Sequence, residues 1–314
     1  MQPIVVLGDI NVDALMPIPT YPHPGQEAMS RELVLGLGGS AANTAVVLAR
    51  LGWPVRLIGR VGADAWGDLA LQTLAASGVD TTGVRRDPVH TTGLAFIPAL
   101  PDGGHVMFCY RGANDYYAPE ELPAEIMDGA SLLHLSGYAL GHAPQRFAAA
   151  RAVELAAEKG VPLSLDTALE PALRFTGEMR VLLSRLDLCI LGPQEAQALT
   201  GAETPSAAIA MLLAAGVQRV GYKLGGAGCI VASAAGSYRM SALAVATVDT
   251  TGAGDAFSAG LIAGYLAGRD LAASARLATA LGGLATTVWG GGAALPERAE
   301  LEQRLHALAP ELEF

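Results

Sequence analysis

Short apolar runs alternate along this chain with longer segments rich in Ala and Leu. The runs at 4–7, 55–58, 132–135, 163–165, 188–191, 217–223 and 244–248 read as strands. Helices are predicted over 41–51, 67–77, 144–159, 194–199, 206–215, 255–267 and 271–287. Near-continuous apolar strands separated by helices signal a parallel sheet covered on both faces, so the fold class is α/β. Two segments break this rhythm. Residues 14–35 hold Pro17, Pro19, Pro22 and Pro24 ahead of a strand-like 31–35, and 91–117 read as strands at 93–98 and 105–110 around the turn Pro101-Asp102-Gly103-Gly104. Together they predict a small antiparallel sheet projecting from the main domain as a lid.

Composition narrows the class. The 314 residues carry 20 Lys+Arg against 30 Asp+Glu, a formal charge of −10, with 51% apolar side chains. At about 300 residues a folded chain buries roughly 75% of its unfolded surface, so no metal or disulfide is needed to hold it, and disorder is excluded. The cations form no basic run, which argues against a nucleic-acid partner. Cys109, Cys189 and Cys229 are widely separated, with no C-x-x-C pair, so a reducing compartment is expected. The start, Met1-Gln2-Pro3-Ile4, shows no basic region or cleavage site, and the expected address is the cytoplasm. Residues 277–296 are uncharged over roughly the length of a membrane helix, yet five glycines and three threonines interrupt them, so no membrane partner is expected.

Chemistry concentrates in glycine-rich turns. In Val248-Asp249-Thr250-Thr251-Gly252-Ala253-Gly254-Asp255 a strand gives way to a small-residue turn and a helix. The amides of Gly252, Ala253, Gly254 and Asp255 can converge there on an anion, with the positive end of the helix dipole behind them. Asp255 is either a plain helix cap or a base for a substrate hydroxyl, with its pKa lowered by the helix N-terminus. A second run, Gly36-Leu37-Gly38-Gly39-Ser40-Ala41-Ala42-Asn43, opens another helix, and Gly38 and Gly39 allow a small ligand to approach the backbone. The first strand runs into Gly8-Asp9-Ile10-Asn11-Val12-Asp13, whose period-two alternation gathers Asp9, Asn11 and Asp13 on one side, a set suited to polyol hydroxyls or to an exposed strand end. Lys223-Leu224-Gly225-Gly226-Ala227-Gly228 is a third glycine turn, equally readable as a hairpin.

These residues together resemble the ribokinase-like carbohydrate kinases of the PfkB family. Both family signatures match, from Gly38 through Asn43 to Gly62 and from Asp249 to Asp255, in the right order over nearly the whole chain. The resemblance implies a three-layer α/β/α domain with a β lid. The division is 1–13, 36–90 and 118–314 for the α/β domain, with 14–35 and 91–117 forming the lid. It implies MgATP-dependent phosphorylation of a sugar hydroxyl, with Asp255 as base and Gly252, Ala253 and Gly254 as anion hole. Asn11, Asp13, Gly38, Gly39 and Asn43 become sugar contacts. Lys223, Gly225, Gly228 and Thr279 border ATP. Asp249 and Thr251 lie where relatives bind a monovalent cation such as K+, and relatives often form homodimers through their lids. The family's Asn-x-x-Glu element appears as Gly192-Pro193-Gln194-Glu195, and Ala168 replaces an asparagine two residues after Asp166. Magnesium is therefore expected to be held through water, with Glu195.

Substrate readings stay open at this level. Arg111 on the lid could grip a carboxylate or phosphate, favouring a sugar acid or sugar phosphate, or simply face solvent; Asn114 could touch the sugar. A nucleoside would stack on Tyr110, Tyr116, Tyr117 or Phe96. An NADP-dependent oxidoreductase is the rival class, because Gly36-x-Gly38-x-x-Ala41 fits the loose dinucleotide fingerprint and Arg60 could meet a 2′-phosphate.

Overall fold

The computed structural model describes residues 1–100 and 106–311. Thirteen strands are described: β1 Ile4–Leu7, β2 Asn11–Pro17, β3 Val34–Gly38, β4 Val55–Gly62, β5 Val79–Asp87, β6 Gly93–Ala99, β7 Phe108–Tyr110, β8 Leu132–Ser136, β9 Leu163–Asp166, β10 Leu188–Leu191, β11 Arg219–Lys223, β12 Cys229–Ser233 and β13 Gly236–Met240. Nine form one sheet in the order β13-β12-β11-β10-β9-β8-β1-β4-β5. Pairing is parallel from β5 to β11, and β12 and β13 close the far edge as antiparallel hairpins.

Both faces of this sheet are covered, and the strands record it residue by residue. Ile4 and Val6 of β1 enter one apolar cluster and Val5 and Leu7 the other; Leu188 and Ile190 of β10 alternate in the same way with Cys189 and Leu191. Period-two alternation with both sets apolar is what a doubly covered strand requires. The helices Ser40–Arg50, Ala253–Leu266 and Leu271–Ala285 pack on the first face, and Gln145–Glu158, Pro193–Thr200 and Pro205–Ala214 on the second.

The uncharged stretch 277–296 is shared between the helix Leu271–Ala285 and a glycine-rich turn. Its small residues serve close helix packing: a Cβ on Gly260 would lie 2.6 Å from the Cα of Ala278. Among the described residues no helix is long and apolar enough to cross a membrane.

The second sheet has the order β3-β2-β6-β7. Three features differ from the sequence reading. β2 and β6 pair in parallel, so this sheet is mixed and not wholly antiparallel. Its strands reach back to Asn11 and forward to Gly38, because the polar run after β1 leaves the large sheet at Gly8 and begins a strand of the small one. Residues 244–248 form no strand; Ala244 and Val245 line a cavity instead. The turn expected at Pro101–Gly104 and the start of the strand expected at 105–110 lie outside the described residues, and β7 is described from Phe108.

Candidate active site

Two cavities meet at the N-terminus of the helix Ala253–Leu266. The lid-side cavity, about 230 Å³, lies between the small sheet and the large domain and is lined by Asp9, Asn11, Asp13, Asn43, Arg111 and Asp255 among others. The helix-side cavity, about 500 Å³, is lined by Lys223, Gly225, Gly228, Thr279, Gly282 and Gly283 among others. Gly254 belongs to the walls of both.

The turn at this junction is built by Gly252, whose φ of 69° is the left-handed conformation that a side chain disfavours. Ala253 donates its amide back to the Thr250 carbonyl at 3.3 Å and so closes the turn. The amides of Gly252, Gly254 and Asp255 have no backbone acceptor among the described residues. Asp249 braces the loop from below: Oδ1 accepts from the Thr251 amide (3.0 Å) and hydroxyl (2.7 Å), and Oδ2 from the Gly290 amide (3.2 Å). Asp249 and Thr251 are both buried.

Asp255 stands at the third position of this helix, half-buried at the cavity junction. Its pKa is raised to about 7, by burial first and by the charge of Asp166 second. The sequence expectation of a lowered value is thus reversed. Hydrogen bonds from Ser40 and Asn43 and the charge of Lys223 pull the other way but do not prevail. Desolvation outweighs the helix-end effect that sequence position alone suggests.

Asn43, 3% exposed, donates Nδ2 to Asp255 Oδ2 at 3.1 Å and accepts the Ala293 amide on Oδ1 at 3.1 Å. Its helix begins at Gly39, with φ of 91°, where a Cβ would strike the Asp9 carbonyl. Asp13 is 7% exposed with no hydrogen-bond donor among the described residues, and a Cβ on Gly38 would overlap its carboxylate. Burial, then the charges of Asp255 and Asp249, raise the Asp13 pKa to about 7.

Lys223 projects from the end of β11. Its Nζ donates to Asp166 Oδ1 at 2.7 Å, while Ser258 Oγ donates to the other oxygen at 2.7 Å. A Cβ on Gly254 would lie 3.6 Å from this Nζ, so the ammonium faces the amide turn. Burial opposes its charge, but Asp166, Asp255 and Glu195 outweigh burial and raise its pKa. The following residues are both a hairpin turn between β11 and β12 and a cavity wall. Thr279 lies behind them, its hydroxyl 3.4 Å from Cys229 Sγ.

Glu195 accepts the Gly192 amide at 3.1 Å and so caps its own helix. Among the described residues no group of three or more His, Cys, Asp or Glu is placed to hold a metal. That donor set fits magnesium carried on phosphates, because Mg²⁺ keeps several waters and asks for only one or two carboxylates.

Two lid residues are placed differently from the sequence reading. Asn114 is fully buried and does not line the cavity: Oδ1 accepts the Ile10 amide (2.9 Å), and Nδ2 donates to Asn11 Oδ1 (2.8 Å) and the Arg111 carbonyl (2.9 Å). It therefore positions Asn11. Arg111 does line the cavity, but it is neither solvated nor free. It donates to both oxygens of Asp9 (2.6 and 3.0 Å), to Asp115 and to Gln145 Oε1 (2.8 Å).

Of the aromatics expected to stack on a base, only Tyr110 lines this cavity. Tyr116 stacks on His90 at 3.5 Å, the Tyr117 hydroxyl donates to the Gly83 and Glu121 carbonyls, and Phe96 faces Phe108. The oxidoreductase reading fails on geometry. Gly36 and Gly38 belong to a strand of the small sheet, and Arg60 is paired with Asp87 (2.8 Å) and Glu121. Sequence reasoning overlooked Ser40 and Tyr138 on the cavity wall; Ser40 directly follows Gly39 and was within reach of the motif.

The family model described as pfkB family carbohydrate kinase matches residues 1–298. The chain is 33% identical over 282 residues to 2-dehydro-3-deoxygluconokinase of Thermoproteus tenax, covering 87% of this chain and 86% of that one. It is 30% identical to ribokinase of Haemophilus influenzae, covering 97% and 99%. A solved E. coli structure in complex with ATP and Mg²⁺ superposes with a TM-score of 0.86 at 27% identity, covering 98% of this chain and all of that one.

Proposed function

We propose that this chain, which belongs to the pfkB family of carbohydrate kinases, transfers the γ-phosphoryl group of ATP to a hydroxyl of a small sugar held in the lid-side cavity. The observation that carries the reading is the junction itself. A polar chamber and a glycine-walled chamber share Gly254, with Asp255 and three amides at the opening.

Each residue then has a chemical task. Asp13, Asn11 and Asn43 accept or donate to sugar hydroxyls. Asp255, with a pKa of about 7, takes the proton of the attacking hydroxyl as its oxygen forms the new bond to phosphorus and the bond to the ADP oxygen breaks. A base this close to neutrality is better matched to its task than an ordinary carboxylate. The transferring group passes through a loose transition state whose charge spreads over its oxygens. The amides of Gly252, Gly254 and Asp255 and the Lys223 ammonium face that position and stabilise it. Bound magnesium would neutralise phosphate oxygens, and Glu195 is the carboxylate suited to hold it through water.

Nucleotide binding along Gly225, Gly228 and Thr279 is supported by the helix-side cavity they line. A monovalent cation beside Asp249 and Thr251 belongs to the same reading. Exposed Leu35 and Phe108 on the small sheet support pairing of two copies through it. The test is sugar-dependent ADP release from MgATP with the phosphorylated sugar identified by mass. ADP release that no sugar stimulates overturns the proposal.

A further inference from the structure

The lid-side cavity is electrostatically one-sided. Asp9, Asp13 and Asp255 line it, and Arg111 is the only Lys or Arg among the described lining residues. Four of its five N–H groups are already engaged. Its two terminal nitrogens grip both oxygens of Asp9, the second nitrogen also meets Gln145, and Nε meets Asp115. Gln145 reinforces the arrangement by donating Nε2 to Asp9 Oδ1 at 3.2 Å. Asp9 is 4% exposed, so it depends on Arg111 for its compensation.

Resting on the kinase reading above, we infer that the acceptor is an uncharged sugar or polyol, and that the cavity rejects sugar acids and sugar phosphates. An anionic substrate could grip Arg111 at two points only by breaking its pair with Asp9, which leaves a buried carboxylate without a counter-charge. Without that grip, the anion sits against the carboxyls of Asp13 and Asp255 with no cation of its own. A neutral polyol meets neither obstacle. Its hydroxyls are donors, and Asp13 is a buried acceptor that lacks one. At about 230 Å³ the cavity is below the range of pockets that take drug-sized ligands and fits one monosaccharide. Burial raises the pKa of both Asp13 and Asp255, and neighbouring carboxylates add to it: Asp255 and Asp249 for the first, Asp166 for the second.

The experiment compares kcat/KM for a panel of neutral pentoses, hexoses, ketoses and polyols with fructose 6-phosphate, ribose 5-phosphate, gluconate and 2-keto-3-deoxygluconate, with adenosine included. The expected result is a neutral sugar preferred over every charged one by on the order of 10²-fold or more, the scale of breaking a buried ion pair. A charged sugar or adenosine used as well as the best neutral sugar overturns the inference and leaves the kinase reading standing. If no acceptor is phosphorylated, the kinase reading fails, and calorimetric binding of the same panel decides the inference. Tighter binding of a neutral sugar supports it; tighter binding of an anion, or no binding of any neutral sugar, overturns it. In Asp9→Asn, which frees Arg111, the ratio of charged to neutral sugar binding is expected to rise at least tenfold; an unchanged ratio in a folded variant counts against the pairing argument.

Discussion

Asn43 and Asp255, 212 positions apart, share a hydrogen bond of 3.1 Å, and through it the two glycine-rich motifs of this chain become one site. The Asn43 amide is directional because its oxygen is fixed by the Ala293 amide, so Nδ2 can point only toward the carboxylate. Whatever Asp255 does, it does from a fixed orientation.

Replacing Asp255 by Asn removes the proton acceptor and keeps the shape. Turnover should fall by about 10²–10⁴, the usual worth of general-base help, with ATP affinity nearly unchanged. Steady-state kinetics together with nucleotide titration check this, and turnover within threefold of the parent rejects the base assignment.

A pKa of about 7 places the acid limb of the rate profile near neutrality. Below it Asp255 is protonated and cannot accept; above it the carboxylate is available. kcat/KM should therefore climb through about pH 6–8, half-maximal near 7, and level off above it. A limb near pH 4, where an ordinary carboxylate titrates, would contradict the burial argument.

The same shift has a thermodynamic sign. Asp13 titrates higher in the folded chain than in the unfolded one, so between about pH 4 and 7 the folded state binds more protons and stability falls as pH rises. Asp13→Asn should therefore melt above the parent at pH 8, by roughly 2–5 °C, with the gap closing toward pH 4. Thermal melts at the two pH values decide it; a variant that melts lower at pH 8 refutes the claim that this carboxylate is strained by its surroundings.

Lys223→Met deletes the ammonium facing the amide turn. Turnover should drop by about 10²-fold or more, with sugar affinity little changed, as expected for a group that acts on transition-state charge. Because Lys223 also holds down the Asp255 pKa, the acid limb should move upward. Loss of turnover with an unmoved limb would assign Lys223 to holding Asp166 alone.

Gly38→Ala inserts a methyl group where the Asp13 carboxylate lies. KM for the sugar should rise by about tenfold or more while ATP affinity holds, since a displaced substrate contact costs on the order of a hydrogen bond to a charged group. Equal losses for both ligands would indicate a folding defect.

Local signals carried much of this site. Gly252, Gly254 and Asp255 are adjacent in the chain, and a strand-turn-helix pattern is enough to predict converging amides. The alternation of β1 likewise announces burial on both faces. What the sequence hid depends on partners distant in the chain. Asp255 is lifted by burial and by Asp166, neither visible from its position at a helix start. Arg111 looked available because Asp9, 102 residues away, gave no hint of contact. Asn114 reads as a polar lid residue until its four hydrogen bonds to Ile10, Asn11 and Arg111 are seen. The parallel pairing of β2 with β6 is a question of topology that two short strands cannot answer by composition.

Gly254 stands in the walls of both chambers, and it has no side chain. One elongated molecule can therefore lie in both at once, a polyol head joined by a phosphate tether to a nucleotide tail, with the tether passing over a bare α-carbon. Bulk added at position 254 would stand toward the Lys223 ammonium, 3.6 Å from where a Cβ would lie, and would crowd the path of such a tether.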